Sequence, residues 1–210
     1  MEVSNYIKMR DQMQERFLTY DQKEIEGKYG FAFDDDYFYV PYLFEEWRVN
    51  RHTGVVEGSK DHFLHVHQGS FNETLTIFDL LCCGKKEIVL AGTYARTNSL
   101  KGTIKGRTIA SGVHDSRAAR YDGHVEQLKK ACVSLSGKPY SPGDAALFSC
   151  LSVLPLVFQF WESDEEFPPV LKFMWDENVL DYLRFETLYY VMGDFLDALD
   201  QAFDACKTEA

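Results

Sequence analysis

The stretch that decides the fold covers residues 143–195 and reads GDAALFSCLSVLPLVFQFWESDEEFPPVLKFMWDENVLDYLRFETLYYVMGDF. Residues 145–151 and 156–161 are two apolar runs, and the second is apolar at nearly every position, as in a strand that is covered on both faces. In residues 171–176, large apolar side chains recur at every second position, which is the period of a half-buried strand. The stretch therefore predicts three strands before its final segment.

From Phe185 onward the apolar pattern becomes helical. Large apolar side chains recur at helical spacing over five turns, with aspartates between them. The apolar face consists of Phe185, Leu188, Tyr189, Met192, Phe195, Leu196, Leu199 and Phe203. We expect a long amphipathic helix that buries this face.

The amino-terminal part adds a helix and a β region. Residues 2–26 carry apolar side chains at helical spacing. Pro41 lies among strand-forming residues, and because proline cannot donate a ladder hydrogen bond, it indicates an edge strand or a bend. Residues 47–56 predict a hairpin whose loop ends at Gly54. The fold class is therefore α+β, with a mixed or antiparallel sheet flanked by amino- and carboxy-terminal helices.

Two further helices are indicated by local signals. The first, over residues 70–82, begins with a capping box in which Ser70 and Glu73 satisfy each other's backbone amides. The second is predicted over residues 115–135, with an aspartate or serine at its start. Gly123 lies inside it and is expected to lower its helix propensity only slightly.

Composition and charge exclude several classes of protein. The chain has 210 residues, of which 45% are hydrophobic, enough to bury a substantial core. Its formal net charge of −11 argues against nucleic acid or an anionic membrane as the partner. A signal peptide is not predicted, because the sequence shows no basic segment followed by an apolar stretch. The longest apolar run, residues 153–160, is too short to span a bilayer. We expect a soluble, cytoplasmic protein.

The five cysteines suit a reducing compartment. Cys82 and Cys83 are adjacent, the other three are isolated, and no Cys-x-x-Cys motif is present. Neither an iron–sulfur cluster nor a zinc ribbon has the spacing it would need. The default interpretation is that the cysteines are small buried hydrophobic residues.

The most metal-like run is DHFLHVH, residues 61–67. If this run is a strand, His65 and His67 point to the same face, a spacing that zinc enzymes use. The sequence nominates no third ligand. A polar sheet surface is the alternative interpretation.

Three carboxylates, Asp164, Glu165 and Glu166, follow the most apolar strand. Their mutual repulsion is costly unless a cation, an arginine or solvent offsets it. A divalent-metal or acid–base site is one interpretation, with Asp144 as a further catalytic candidate and Trp161 as a candidate for cofactor binding. A solvated turn is the other. If the site exists, we expect at least one of the three carboxylates to be buried with a specific partner, or to line a pocket with Trp161 or Asp144.

The central segment resembles DUF3786, a bacterial and archaeal family of unknown function. The resemblance rests on seven elements in order: Gly143-Asp144, Leu154-Pro155, Phe160-Trp161, Asp164-Glu165-Glu166-Phe167-Pro168, Asp176, Tyr182-Leu183 and Glu186. We expect one DUF3786-like domain over residues 1–210. Residues 71–210 match best, whereas residues 1–70, with the first helix and the hairpin region, match weakly.

The resemblance implies a context and no mechanism, because the family has no established activity. Some members resemble fusions to an iron–sulfur domain of the kind found beside corrinoid proteins in anaerobes, and this chain lacks that cysteine module. The first hypothesis is a binding or accessory module for a small molecule or a protein, linked to anaerobic redox or one-carbon (corrinoid) metabolism. The alternative is a metal-assisted hydrolase or related enzyme that uses residues 164–166 and a divalent metal. The sequence does not decide whether the protein is an enzyme.

Overall fold

The computed structural model describes residues 4–102, 115–140, 145–150 and 153–208. Contacts between residues divide the chain into two compact units. The first unit comprises Met1–Val89, Leu151–Val153 and Leu180–Val191. The second comprises Leu90–Cys150, Leu154–Val179 and Met192–Ala210. The expectation of a single domain over residues 1–210 stays a prediction.

The first unit combines an antiparallel sheet with helices. Its strands pair in the order β1-β2-β3-β4. The elements are α1 Asn5–Phe17, α2 Gln22–Ile25, β1 Tyr37–Tyr42, β2 Glu45–Asn50, β3 Val56–Ser59, β4 His67–Gln68 and α3 Phe71–Phe78. The predicted hairpin is confirmed as β2 and β3, and Gly54 in its loop has a positive φ of 71°. Pro41 lies in β1, an edge strand of this sheet.

The core of the first unit is built from aromatic rings. Phe17, at the end of α1, stacks on Phe78 of α3 with ring centroids 4.9 Å apart. The edge of Phe17 also meets Phe38 of β1 at 6.2 Å. All three side chains are buried, so one residue joins both helices to the sheet.

The amino-terminal helix is shorter than predicted. The expected helix over residues 2–26 is observed as α1, which ends at Phe17, and a separate single turn, α2. Asp21 caps α2 by accepting a hydrogen bond from the amide of Lys23 at 3.0 Å. An aspartate side chain that hydrogen-bonds to the backbone competes with continuation of the helix. The apolar spacing continues beyond this break, so it predicted a helix that is too long.

The second unit contains a five-stranded antiparallel sheet in the order β5-β9-β8-β7-β6. Its elements are β5 Tyr94–Arg96, α4 Asp115–Tyr121, α5 Val125–Ser134, β6 Lys138–Tyr140, β7 Ala145–Cys150, β8 Leu154–Trp161 and β9 Val170–Asp176. The three strands predicted from residues 143–195 are confirmed as β7, β8 and β9. A ring cluster of Phe158, Phe173 and Phe195, with centroids 5.5 to 5.7 Å apart, forms the centre of its core.

The helix predicted over residues 115–135 is divided in two. Gly123 lies between α4 and α5 with a φ of 73°, in the left-handed region. A residue in that conformation cannot continue a right-handed helix. The expectation that Gly123 only weakens a continuous helix is therefore wrong.

The carboxy-terminal helix α6, Phe185–Thr208, is confirmed over 24 residues. Its predicted face is buried, with Leu188, Phe195 and Leu199 fully inaccessible to solvent. With helices at both termini and antiparallel sheets, the α+β class is confirmed. Among the described residues, the helices are too short or too polar to cross a membrane.

We expect Leu188→Ala to lower the free energy of unfolding by about 2–5 kcal/mol, because the truncation leaves a cavity in a closed core. Leu64 is 81% exposed, so Leu64→Ala is the matched control and should change stability by no more than about 0.5 kcal/mol. Urea denaturation followed by circular dichroism measures both. Equal effects of the two substitutions would contradict the burial of this helix face.

Candidate functional site

The acidic loop after β8 is exposed. Asp164, Glu165 and Glu166 all lie in solvent, so the expectation that one of them is buried is wrong. The Asp164 carboxylate accepts hydrogen bonds from the amides of Glu166 at 2.8 Å and Phe167 at 2.7 Å. These bonds are those of an aspartate that closes a turn. A functional role for the three acids stays a prediction.

Of the two other candidates, the structure describes only Trp161. Trp161 ends β8, is 43% exposed, and has the ammonium of Lys172 at 4.9 Å from its ring centroid. Such a cation–π contact accounts for the exposed ring. Asp144 lies outside the described residues.

The histidines do not share a strand face. Only His67 belongs to β4, whereas His65 precedes that strand, so the condition for a shared face, a strand over residues 61–67, is not met. The imidazole of His65 lies 2.6 Å from Asp61, and that of His67 lies 3.3 Å from Glu45. Within the described part of the chain, no three His, Cys, Asp or Glu side chains gather as a metal ion would require. Zinc binding by His65 and His67 stays a prediction.

Another part of the first unit brings several polar and titratable side chains close together. The confirmed capping box starts α3, but the predicted α-helical path to Cys82 is not followed. After Phe78 the chain widens into a π-helical turn, Asp79–Cys83, in which the amide of Gly84 donates to the carbonyl of Asp79 at 3.0 Å. Turns of this kind are rare and occur frequently at functional sites. We refer to Asp79–Cys83 as the π-turn.

Residues from the loop after α2 support the π-turn from its carbonyl end. The buried ammonium of Lys28 donates to the carbonyls of Leu81 at 2.9 Å and Gly84 at 2.6 Å. A cation stabilises the carbonyl end of a helix, and these bonds satisfy acceptors that the helix cannot. Burial lowers the pKa of Lys28. The hydroxyl of Tyr29 packs so closely that a Cβ added at Gly84 would lie 2.5 Å from it.

We expect Gly84→Ala to destabilise the protein by about 1–3 kcal/mol, because the new methyl group would also lie 3.0 Å from the carbonyl oxygen of Tyr182. Gly193, inside α6, is the control: a Cβ there meets nothing within 4 Å. Gly193→Ala should stabilise by about 0.5–1 kcal/mol through helix propensity. Melting temperatures that shift in the same direction for both variants would exclude this role for Gly84.

The side chain of Asp79 is buried and surrounded by donors. It is 2% exposed, and its carboxylate accepts from the Thr187 hydroxyl and from the amide of Arg184 at 3.4 Å. The Arg184 guanidinium adds an ion pair, with Nε at 3.3 Å from Oδ1. These donors lie at the start of α6, where the helix dipole also favours a negative charge. The carboxylate therefore ties the π-turn to the start of α6.

The two adjacent cysteines differ sharply. Cys83 is exposed, and its Sγ accepts a hydrogen bond from Nη2 of Arg184 at 3.0 Å. Cys82 is partly buried, and burial raises the pKa of its thiol to about 12. The prediction that the cysteines are buried is confirmed for Cys132 and is wrong for Cys83, which is exposed.

These groups line one cavity of about 480 Å³. Its walls are mostly apolar and aromatic and include Met13, Phe17, Tyr20, Phe71, Phe78 and Tyr190. Its polar groups are Gln12, Arg16, Asp79, Cys82, Cys83, Arg184, Glu186 and Thr187. An apolar cavity with a few convergent polar groups is the usual form of a small-molecule site. We call this cavity the π-turn pocket.

Burial raises the pKa of Asp79, although its bonds to Thr187 and the charge of Arg184 oppose the shift. A carboxyl group with a raised pKa binds more protons in the folded state than in the unfolded state. Its contribution to stability is therefore greatest at low pH and is lost as the pH rises from its ordinary pKa of 3.8 through the raised value.

We expect the stability of the wild type to fall relative to that of Asp79→Asn as the pH rises through this window, because asparagine does not titrate. Asp35 is exposed, and Asp35→Asn is the control, which should show no such relative change. Denaturant melts of the three proteins between about pH 3 and pH 8 measure the difference. A pH-independent difference between wild type and Asp79→Asn would show that the pKa is not raised.

Sequence reasoning missed the central residues of this pocket. One signal was present, because Asp79 interrupts the apolar run Ile77-Phe78-Asp79-Leu80-Leu81 on a predicted helix. A lone carboxylate at such a position needs a buried partner. Nothing local indicates that the partners are Arg184 and Thr187, 105 and 108 residues away.

Comparison with known proteins adds the family and no activity. No curated protein matches the chain, and no solved structure matches it. The family model described as a domain of unknown function (DUF3786) matches residues 21–197, which is most of the chain. The matched range includes the π-turn, Arg184 and the acidic loop. The resemblance found in the central segment is thereby confirmed, and the chain belongs to the DUF3786 family.

Proposed function

We propose that the first unit binds a small organic ligand, with an apolar body and an anionic group, in the π-turn pocket. The observation that carries this proposal is a cavity with largely apolar walls into which two arginines, Arg16 and Arg184, bring positive charge. A volume of about 480 Å³ lies within the range of small-molecule sites. The pocket would make the protein a binding module.

The arginines support an anionic group in the ligand. Arg16 is exposed, and its guanidinium carbon lies 6.0 Å from the centre of the Tyr20 ring. Arg184 uses Nε and Nη2 for Asp79 and Cys83, while its Nη1 meets no acceptor in the described part of the chain. Planar guanidinium groups with free donors suit carboxylate and phosphate oxygens.

The remaining charges of the pocket constrain the ligand further. Asp79 forms an ion pair with Arg184, and the lining contains a second acidic residue, Glu186. The chain as a whole carries a charge of −11, which disfavours polyanions. A small ligand with one anionic group and a body that contacts Phe71 and Phe78 fits this arrangement best.

Several finer expectations stay predictions. A link to anaerobic redox or one-carbon (corrinoid) metabolism, a bacterial origin and a cytoplasmic location follow from the family resemblance and the composition. No pocket residue favours a corrinoid. The alternative function, a metal-assisted hydrolase that uses Asp164, Glu165 and Glu166, has no geometric observation in its favour.

We expect the fluorescent anion 1-anilinonaphthalene-8-sulfonate to bind the native protein, since it combines a sulfonate with two aromatic rings. Arg16→Gln and Arg184→Gln should each weaken binding by about tenfold, the loss of about one charge-assisted hydrogen bond. Fluorescence titration measures the three affinities.

Lys8→Gln is the control for charge. Lys8 is exposed on α1, the helix that also carries Arg16, so the substitution changes the net charge equally without touching the pocket. Circular dichroism shows whether each variant is folded, and Arg184→Lys, which retains the charge, should bind better than Arg184→Gln. Equal affinity in all folded variants, or no binding by the native protein, would overturn the proposed function.

A further inference from the structure

We propose that Cys83 is a nucleophilic thiol that forms a covalent bond with an electrophilic carbon of the ligand in the π-turn pocket. This inference rests on the proposed function and adds a substrate class, a small anion that carries a leaving group near its charge. Asp79 is the group that takes the thiol proton, and Arg184 is the group that stabilises the thiolate.

The first observation is the position of the sulfur. Cys83 is exposed and lines the cavity, so an electrophile in the pocket can reach it. Nη2 of Arg184 donates to Sγ at 3.0 Å, and a fixed guanidinium at this distance favours the thiolate, the nucleophilic form of cysteine. The pKa of the Tyr20 hydroxyl, which also lines the cavity, is raised first by burial and then by the neighbouring Cys83.

The second observation is a base beside the thiol. The Asp79 carboxylate is four residues earlier on the π-turn and contacts the same Arg184 guanidinium as the Cys83 thiol, with Nε at 3.3 Å from Asp79 and Nη2 at 3.0 Å from Cys83. Its orientation is set by the Thr187 hydroxyl and the Arg184 amide. A nucleophile, a base next to it and a third group that orients the base form the arrangement that activated nucleophiles share.

The third observation separates the two cysteines. Cys82 is partly buried, and its raised pKa of about 12 keeps it a thiol near neutral pH. The exposed sulfur of Cys83 is therefore the reactive one of the adjacent pair, and its chemistry is substitution at carbon.

The ion pair of Asp79 with Arg184 also stabilises the fold. That role alone would explain the burial of Asp79 and the orientation of the Arg184 guanidinium. It does not explain why the guanidinium directs Nη2 at an exposed sulfur in a cavity with a second arginine. The geometry is that of a reactive site whose structural support is shared with the fold.

The bond changes can be written for iodoacetate, a small carboxylate with a leaving group. The Cys83 thiol gives its proton to the Asp79 carboxylate, and the Sγ–carbon bond forms as the carbon–iodine bond breaks. Iodide leaves with the bonding electron pair, and the proton passes from Asp79 to solvent. The product is S-carboxymethyl Cys83, and no oxidant or reductant is consumed.

The test compares iodoacetate with neutral iodoacetamide on the full chain, with mass spectrometry to locate the label. We expect the ratio of the iodoacetate rate to the iodoacetamide rate at Cys83 to be at least about tenfold higher in the folded protein than in urea, where the cation contacts are lost. Arg16→Gln should lower this ratio, and Lys8→Gln should leave it unchanged. Cys82 and Cys132 should label slowly in the folded state.

Asp79→Asn separates the proton-accepting role from a purely electrostatic one. Loss of a negative charge beside the sulfur would by itself favour the thiolate and speed labelling. If Asp79 accepts the proton, labelling by both reagents becomes slower near neutral pH. Faster labelling of Asp79→Asn would overturn the assignment of Asp79, and Thr187→Val, which removes only the orienting hydroxyl, should give a smaller loss of rate.

Anion binding and thiol labelling are measured separately on the wild type, which distinguishes failure of this inference from failure of the proposed function. If 1-anilinonaphthalene-8-sulfonate binds the wild type and Cys83 labels no faster in the folded protein than in urea with either reagent, the nucleophile is overturned while the binding pocket stands. If the anion does not bind the wild type, the pocket itself is overturned.

Discussion

The interaction on which the first unit depends is the burial of the Asp79 carboxylate. A carboxylate that is 2% exposed cannot be left unpaired, because the lost hydration of its charge would exceed most single contributions to folding stability. Thr187 and Arg184 supply the partners, and they place the end of α3 against the start of α6. The wider π-turn exposes Cys83, and the ammonium of Lys28 donates to the carbonyl of Leu81 in the same turn. The position of each group in this cluster thus follows from the requirements of one buried charge.

The acidic loop after β8 and the carboxylate of Asp79 differ in their exposure to solvent. Asp164, Glu165 and Glu166 form the denser cluster, yet they lie in water, where a turn hydrogen bond and hydration offset their repulsion. Asp79 stands alone in sequence, its pKa is raised by burial, and the Arg184 guanidinium that pairs with it also contacts the Cys83 thiol. A buried single charge is a stronger sign of chemistry than an exposed group of charges, because only the first requires the fold to supply its partners.

Elements that local interactions specify were predictable. The capping box of Ser70 and Glu73, the hairpin of β2 and β3 and the apolar face of α6 each involve residues close in sequence, so their patterns carry the structure. Predictions failed where two local preferences compete. Gly123 suits both a weakened helix and a left-handed break, and the residues around His65 suit both a strand and a turn. In such cases packing with distant residues selects the conformation.

Patterns in the amino-acid sequence were enough to predict the α+β class, the strands β7 to β9, the carboxy-terminal helix and the DUF3786 family. Periodicity and capping are short-range properties, and they remain visible without a structure. The positions of the buried and reactive side chains became known only from the folded chain. Lys28 meets Leu81 across 53 residues, and Asp79 meets Thr187 across 108. No local pattern encodes such pairs, because they arise when buried polar groups must find partners among whichever residues the packed core brings near them.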